Sequence, residues 1–272
     1  VVGSPYDDDG GSKSGAVYVS RATDSNATYG QVAKLTATNT TSGNEFGWSV
    51  AIDGNTVVVG AWQYPNAVDT TRCIESIPAG WPHAGQTYCC PSGSTRYGDG
   101  SACCPGGTLG GSCSSGPHCA IYGNAGLDQC DGITHFPTSG VAYVFRTSDG
   151  GAMYVEVAKL TASDAAAVDE FGKSVAIDGG TIVVGARYND NDDGSNWGSA
   201  YVFRASDGAQ LAKLTASDGA ADDGFGYSVA IDGNTVVVGA YGDGSESGSV
   251  YVFRTSDGVT YVELAKLMAD DG

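Results

Sequence analysis

Residues 225–240 read FGYSVAIDGNTVVVGA, and almost the same words stand at 46–61 (FGWSVAIDGNTVVVGA) and at 171–186 (FGKSVAIDGGTIVVGA). Repetition constrains a fold more than any other feature, because a recurring unit meets the same packing problem each time and buries its faces against its neighbours. Phe171 and Phe225 lie 54 residues apart, whereas Phe46 and Phe171 lie 125 apart, so the second unit carries 71 additional residues. The excess falls between Ala61 and Gly140. The chain therefore divides into units at 1–45, 46–170, 171–224 and 225–272, with a cysteine-rich insertion over 66–137 inside the second. The first unit lacks its opening Phe-Gly segment.

Within a unit the order of patterns is constant. SVAID alternates small or polar with larger apolar residues, as a half-buried strand does. Asp-Gly then supplies a two-residue turn, since Gly tolerates positive φ and Asp or Asn tolerate the left-handed region. TVVVGA is a short, continuous, β-branched run, expected for a strand covered on both faces. A third strand follows an acidic loop and reads AVYVS, VAYVFR, SAYVFR and SVYVFR in the four units. The fourth strand carries AKLTA, or AKLMA at the end. Four short antiparallel strands per unit of about 50 residues, without helix signals, predict an all-β array of four-stranded propeller blades, the first blade lacking its opening strand.

Phe-Gly at 46–47, 171–172 and 225–226, each followed by Gly-Ala at 60–61, 185–186 and 239–240, resembles the FG-GAP repeat. Gly3-Ser4-Pro5 keeps the proline of that name. The resemblance covers most of the chain outside the insertion. It implies a β-propeller of the kind found in integrin α subunits and in many secreted or cell-surface proteins, where such modules bind, adhere or scaffold.

Integrin-like repeats hold calcium in the hairpin through a D-x-[DN]-x-[DN]-G-x-x-D loop. The hairpins here, Asp53-Gly54-Asn55, Asp178-Gly179-Gly180 and Asp232-Gly233-Asn234, offer one carboxylate each. A hard cation taking six to eight oxygens needs more, so these are expected to be turns. A second acidic loop follows Gly-Ala. Asn189, Asn191 and Asp193 in the third unit have enough alternating oxygens for a surface Ca²⁺ site, and Asp7 and Asp9 form a weaker candidate. A solvated loop that turns easily is the simpler account of the same residues.

The net charge of −18, from 13 Lys+Arg against 31 Asp+Glu, excludes nucleic acid and anionic membrane surfaces as natural partners, because phosphates would be repelled. No apolar run is long enough to insert in a membrane. Cys73, Cys89, Cys90, Cys103, Cys104, Cys113, Cys119 and Cys130 form an even, clustered set that reads as a disulfide framework with open connectivity. No Cys-x2-Cys pair with zinc spacing occurs among them. Disulfides and the sequons at Asn26 and Asn39 point to an extracellular or cell-surface setting. The insertion's paired Cys-Cys-Pro words resemble granulin-type small domains over too short a stretch to imply a function. As a protruding loop, the insertion is expected either to recognise a partner or to act as a stabilising cap.

Catalysis is not expected. His83, His118 and His135 all lie in the insertion, and the Gly-x-Ser words at 47–49, 172–174 and 226–228 recur in three units and lack the second Gly of a nucleophile elbow. The leading expectation is a non-enzymatic scaffold or adhesion module whose partners are other protein subunits. The alternative is a lectin-like propeller, calcium-assisted, that binds glycans or proteins through aromatics such as Trp62, Trp81 and Trp197. The chain opens mid-pattern at Val1-Val2-Gly3, as expected of a piece of something longer. Residues 269–272 repeat 221–224, which precede Phe225, so a Phe-Gly is expected next. Such an end would complement the start, closing a ring within one chain or building a head-to-tail filament between chains.

Overall fold

A computed structural model describes residues 1–22, 28–39, 42–63, 94–96, 103–105, 139–151, 153–166, 168–190 and 196–269. The chain forms two compact units, one made of residues 1–65 and 137–272 and the other of residues 66–136. The described elements of the first are almost wholly strands.

Three strands make the first sheet: β1 (Val2–Ser4), β2 (Ala16–Ala22) and β3 (Tyr29–Leu35). The second begins with β4 (Ser49–Asp53) and β5 (Thr56–Ala61). A short antiparallel hairpin within the insertion, β6 (Ser94–Arg96) and β7 (Cys103–Pro105), intervenes in the chain. The second sheet then resumes with β8 (Val141–Arg146) and β9 (Val155–Leu160). The third holds β10 (Ser174–Asp178), β11 (Thr181–Ala186), β12 (Ser199–Arg204) and β13 (Gln210–Leu214). The fourth holds β14 (Phe225–Asp232), β15 (Thr235–Ala240), β16 (Ser249–Thr255) and β17 (Tyr261–Leu267), with a single helical turn, α1 (Asp243–Glu246), before β16. Every pairing within these sheets is antiparallel, and all join sequence neighbours except β5 with β8, between which the insertion falls.

The outer strand stops at the Leu of AKL in all four units, so the following Thr-Ala or Met-Ala belongs to the inter-blade loop. Each outer strand also carries a bulge against the third strand. The pairing skips Val32, Val157, Leu211 and Leu264 in turn. A bulge twists the edge and disrupts the ladder, which protects an outer strand from unwanted pairing.

The cores lie between the blades. One cluster joins Val17, Val19 and Leu35 of the first blade to Phe46, Val57, Val59 and Phe145 of the second. Another joins Val58, Val144 and Leu160 to Phe171, Ile182 and Phe203. The last joins Val183, Val202 and Leu214 to Phe225, Val236 and Phe253. Successive residues of a strand point to opposite faces, which is why TVVVGA must be apolar throughout: Val57 and Val59 face one interface and Val58 faces the next.

Candidate functional site

The repeated words do their work at the seams. Phe46, Phe171 and Phe225 bridge in parallel to Gly15, Gly140 and Gly198 of the preceding blade. Each ring packs on two aromatics of its own third strand, Phe171 on Tyr201 and Phe203 with centroids 5.6 and 5.8 Å apart. The glycine of Gly-Ala meets the glycine of the next Phe-Gly: a Cβ on Gly3, Gly60 or Gly185 would collide with the carbonyl oxygen of Gly47, Gly172 or Gly226. The serine two residues after Phe-Gly donates to the next such carbonyl, from Ser49 to Gly172 at 2.7 Å and from Ser174 to Gly226 at 2.9 Å.

The hairpin aspartates are blade clips as well as turn formers. Asp53 accepts the backbone N–H of Gly179 at 3.0 Å, and Asp178 accepts that of Gly233 at 2.6 Å. At the periphery Thr38, Ser163 and Ser217 donate to Glu156, Gln210 and Glu263 of the following blade. Sequence reading identified the turns but missed the clips. Their signal was the aspartate itself, which a bare Gly-containing turn does not require.

A second recurring constellation ties carboxylates to a tyrosine and a lysine. Tyr201 donates to Asp164 at 2.7 Å and Lys213 lies 2.6 Å from the same carboxylate. Tyr251 and Lys266 hold Asp218 in the same way at 2.8 Å, and Lys266 also reaches Asp243 at 2.5 Å. In the first blade Tyr18 donates to Asp7 at 2.7 Å, while Lys34 pairs with both Asp7 and Asp9. The hydrogen bond from Tyr18, with Lys34 beside it, holds the Asp7 carboxyl below its usual range. Burial works against Asp164, yet Lys213 and Tyr201 keep it low too. The lysine of AKL therefore places an ammonium between the acids. Among the described residues no group of three His, Cys, Asp or Glu is arranged to hold a metal.

The candidate calcium residues separate accordingly. Asp7 and Asp9 meet Lys34. Asn189 is buried, donating to Asp169 at 3.2 Å and accepting from Ser199 at 2.9 Å. Asn191 and Asp193 lie outside the described residues, as do Asn26, Trp81, the three histidines and Cys73, Cys89, Cys90, Cys113, Cys119 and Cys130. Cys103 and Cys104 fall on β7. Asn39 is exposed and stands where later units have Asp164 and Asp218. Asp169 is nearly inaccessible, and burial pushes its carboxyl up to about 6 despite bonds from Ala166 and Asn189.

The positions that vary between units form a ladder. The residues after Phe-Gly and after Gly-Ala are Trp48 and Trp62 in the second blade, Lys173 and Arg187 in the third, and Tyr227 and Tyr241 in the fourth. Lys173 sits 3.6 Å from the Trp62 ring centroid and 4.3 Å from that of Trp48. Arg187 lies 5.4 Å from Tyr227 and 5.8 Å from Tyr241. Glu170 links the cations, at 2.5 Å from Arg187 and 3.5 Å from Lys173, and the Trp62 indole donates to Glu45 at 2.9 Å. Aromatic, cationic and aromatic pairs thus alternate across three blades, each contact worth on the order of 1 kcal/mol. Trp62 is committed to this ladder, and Trp197 is half-buried.

These seams define an array of propeller-type blades joined by Phe-Gly and Gly-Ala. The chain belongs to the FG-GAP repeat family: the family's profile matches residues 29–70, 154–203 and 209–253, together half of the sequence. Each match starts on or just ahead of an outer strand and runs into the next blade, so the sequence repeat straddles a seam. FG-GAP repeats occur in adhesion and other extracellular propeller proteins. No individual curated protein matches the chain.

Proposed function

We propose that this chain is a non-enzymatic extracellular scaffold or adhesion module, acting as a repeating structural subunit of a cell-surface or filamentous assembly. The observation that carries the reading is where the shared polar residues are placed. Ser49, Ser174, Asp53 and Asp178 each reach across a seam, and the acids of the loops pair with lysines of the outer strands. The repeated chemistry is spent on holding blades together, leaving recognition to the unshared parts: the insertion, the loops and the outer blade faces. The eight cysteines and the exposed sequon asparagine at 39 support an oxidising, glycosylating compartment.

Electron microscopy of the native particle, with solution mass measurement, tests the reading. Arcs, rings or fibres built from repeated copies are expected. A monodisperse monomer whose two outer blades are both protected from hydrogen exchange would sink the filament version. Mass analysis of secreted protein is expected to show no free thiol and a glycan at Asn39.

A further inference from the structure

The seam between the second and third blades and the seam between the third and fourth are built from interchangeable parts. The receiving groups match one for one. Ser49 and Ser174 donate to the Phe-Gly carbonyls, Asp53 and Asp178 accept from turn glycines, and Leu160 and Leu214 lie under the following blade. The entering groups match as well. Phe171 and Phe225 bridge to Gly140 and Gly198, and each rests on a tyrosine and a phenylalanine of its own third strand. Tyr201 with Lys213, and Tyr251 with Lys266, hold the loop aspartates in the same way. None of these contacts tells a third blade from a fourth, and FGWSVAIDGNTVVVGA differs from FGYSVAIDGNTVVVGA in one letter. Near-identical repeats are prone to docking on the wrong neighbour, within a copy or between copies.

The ladder is where the two seams differ. Lys173 faces back onto Trp48 and Trp62, and Arg187 faces forward onto Tyr227 and Tyr241. We propose that this aromatic–cationic–aromatic alternation is a docking code: it admits onto the Trp48–Trp62 pair the blade that carries Lys173 and refuses the others. A fourth blade seated on the second would put Tyr227 where Lys173 belongs and forfeit both cation contacts. Two such contacts discriminate by on the order of tenfold or more. A third blade seated on the third blade of another copy would bring Lys173 against a second Lys173 and Arg187. Glu170 would not relieve that repulsion, because it is already engaged by the two cations of its own blade.

The backbone supports the assignment independently. Glu170 takes a left-handed conformation at φ 56°, as Glu45 does at φ 50°, where the fourth blade has Gly224 at φ 64°. Glycine adopts that conformation freely and a residue with a Cβ does not. Glutamate stands against the backbone preference where a ladder group needs a carboxylate: the Trp62 indole for Glu45, Lys173 and Arg187 for Glu170. Beside the tyrosine pair there is glycine instead, and a Cβ on Gly224 would strike the Tyr241 ring. The inference is independent of the scaffold reading, since the code acts at seams inside one chain as well as between copies.

The test is refolding of the full chain from denaturant at rising concentration, without reductant, with the monomer fraction read by light scattering. Trp48→Lys with Trp62→Arg makes the second and third blades both cationic. It is expected to lower the monomer fraction about threefold or more, and less in about 1 M salt, because like charges then meet at the seam. Adding Lys173→Trp and Arg187→Trp to that variant exchanges the pairs and again sets cations against indoles. The monomer fraction should then return to within about twofold of the unsubstituted chain. Disturbed packing alone predicts the opposite, since four substitutions disturb more than two. Refolding of the doubly substituted chain as efficient as the original, or a fourfold variant no better than the double one, would overturn the proposal and leave the scaffold reading standing.

Discussion

Asp53, Asp178 and Asp232 occupy the same place in three near-identical hairpins, yet among the described residues only the first two accept the N–H of a turn glycine in a following blade. Asp178→Ala is expected to cost about 1 kcal/mol in denaturant unfolding, the ordinary worth of a hydrogen bond to a charged acceptor at a wet surface. Asp232→Ala should cost nothing measurable. Asp169 makes the complementary case. Its carboxyl, raised to about 6 by burial with Asp164 and Asp190 adding to the shift, binds its proton more tightly folded than unfolded. That term is therefore favourable at low pH and is lost as pH rises from about 4 through about 6. Asn44, buried at the same position in the first unit, shows that the fold accepts an amide there. Asp169→Asn should stabilise the chain at pH 7 by on the order of 2 kcal/mol and flatten the pH dependence between those limits.

The word AKL is read differently by each blade at the level of the element. Leu214→Ala removes a side chain packed between two sheets and should cost about 2–4 kcal/mol. Leu267→Ala, in the same word on β17, should cost less than about 0.5 kcal/mol, as exposed sites do. Paired thermal melts of the two variants check this directly. The strands themselves were legible, because two-residue periodicity, β-branched runs and Asp-Gly turns are local signals. Outer-strand ends and bulges were not, since Val157 and Leu264 fit an alternating pattern equally well whether or not the register skips them. The tyrosine–lysine–aspartate knots were invisible for a related reason. Asp164 and Lys213 lie 49 residues apart and meet only because a loop from one blade passes over the outer strand of the next.

For the whole molecule, two opposed sets of carboxyls define the response to pH. Asp164, Asp218 and Asp243 are held low by lysine and tyrosine partners despite burial, so they support the fold above their unfolded range near pH 4 and lose that support on acidification. Burial raises Asp169 and Asp223, which oppose folding as pH rises. Thermal stability is expected to peak in mildly acidic solution, where the net charge of −18 is also partly neutralised. Chelator should leave the melting of the blades unchanged, because the acids at Asp7, Asp9, Asp164 and Asp218 hold ammonium groups. A drop of several degrees on chelation would instead place a cation in the 189–194 loop.

By itself the sequence determined the repeat, its phase, the strands and the turns, for these rest on periodicity and on which residues tolerate a tight reversal. It also determined that no face could stand alone, because TVVVGA is apolar on both sides. Only the tertiary structure decided what each copy of the words does. The second strand of the repeat is buried on both faces at 56–61 and 181–186, between two described blades, and on one face only at 235–240, although the letters hardly change. Burial and partnership are properties of the neighbour across a seam, and the neighbour is about 50 residues away along the chain, beyond the reach of any local pattern.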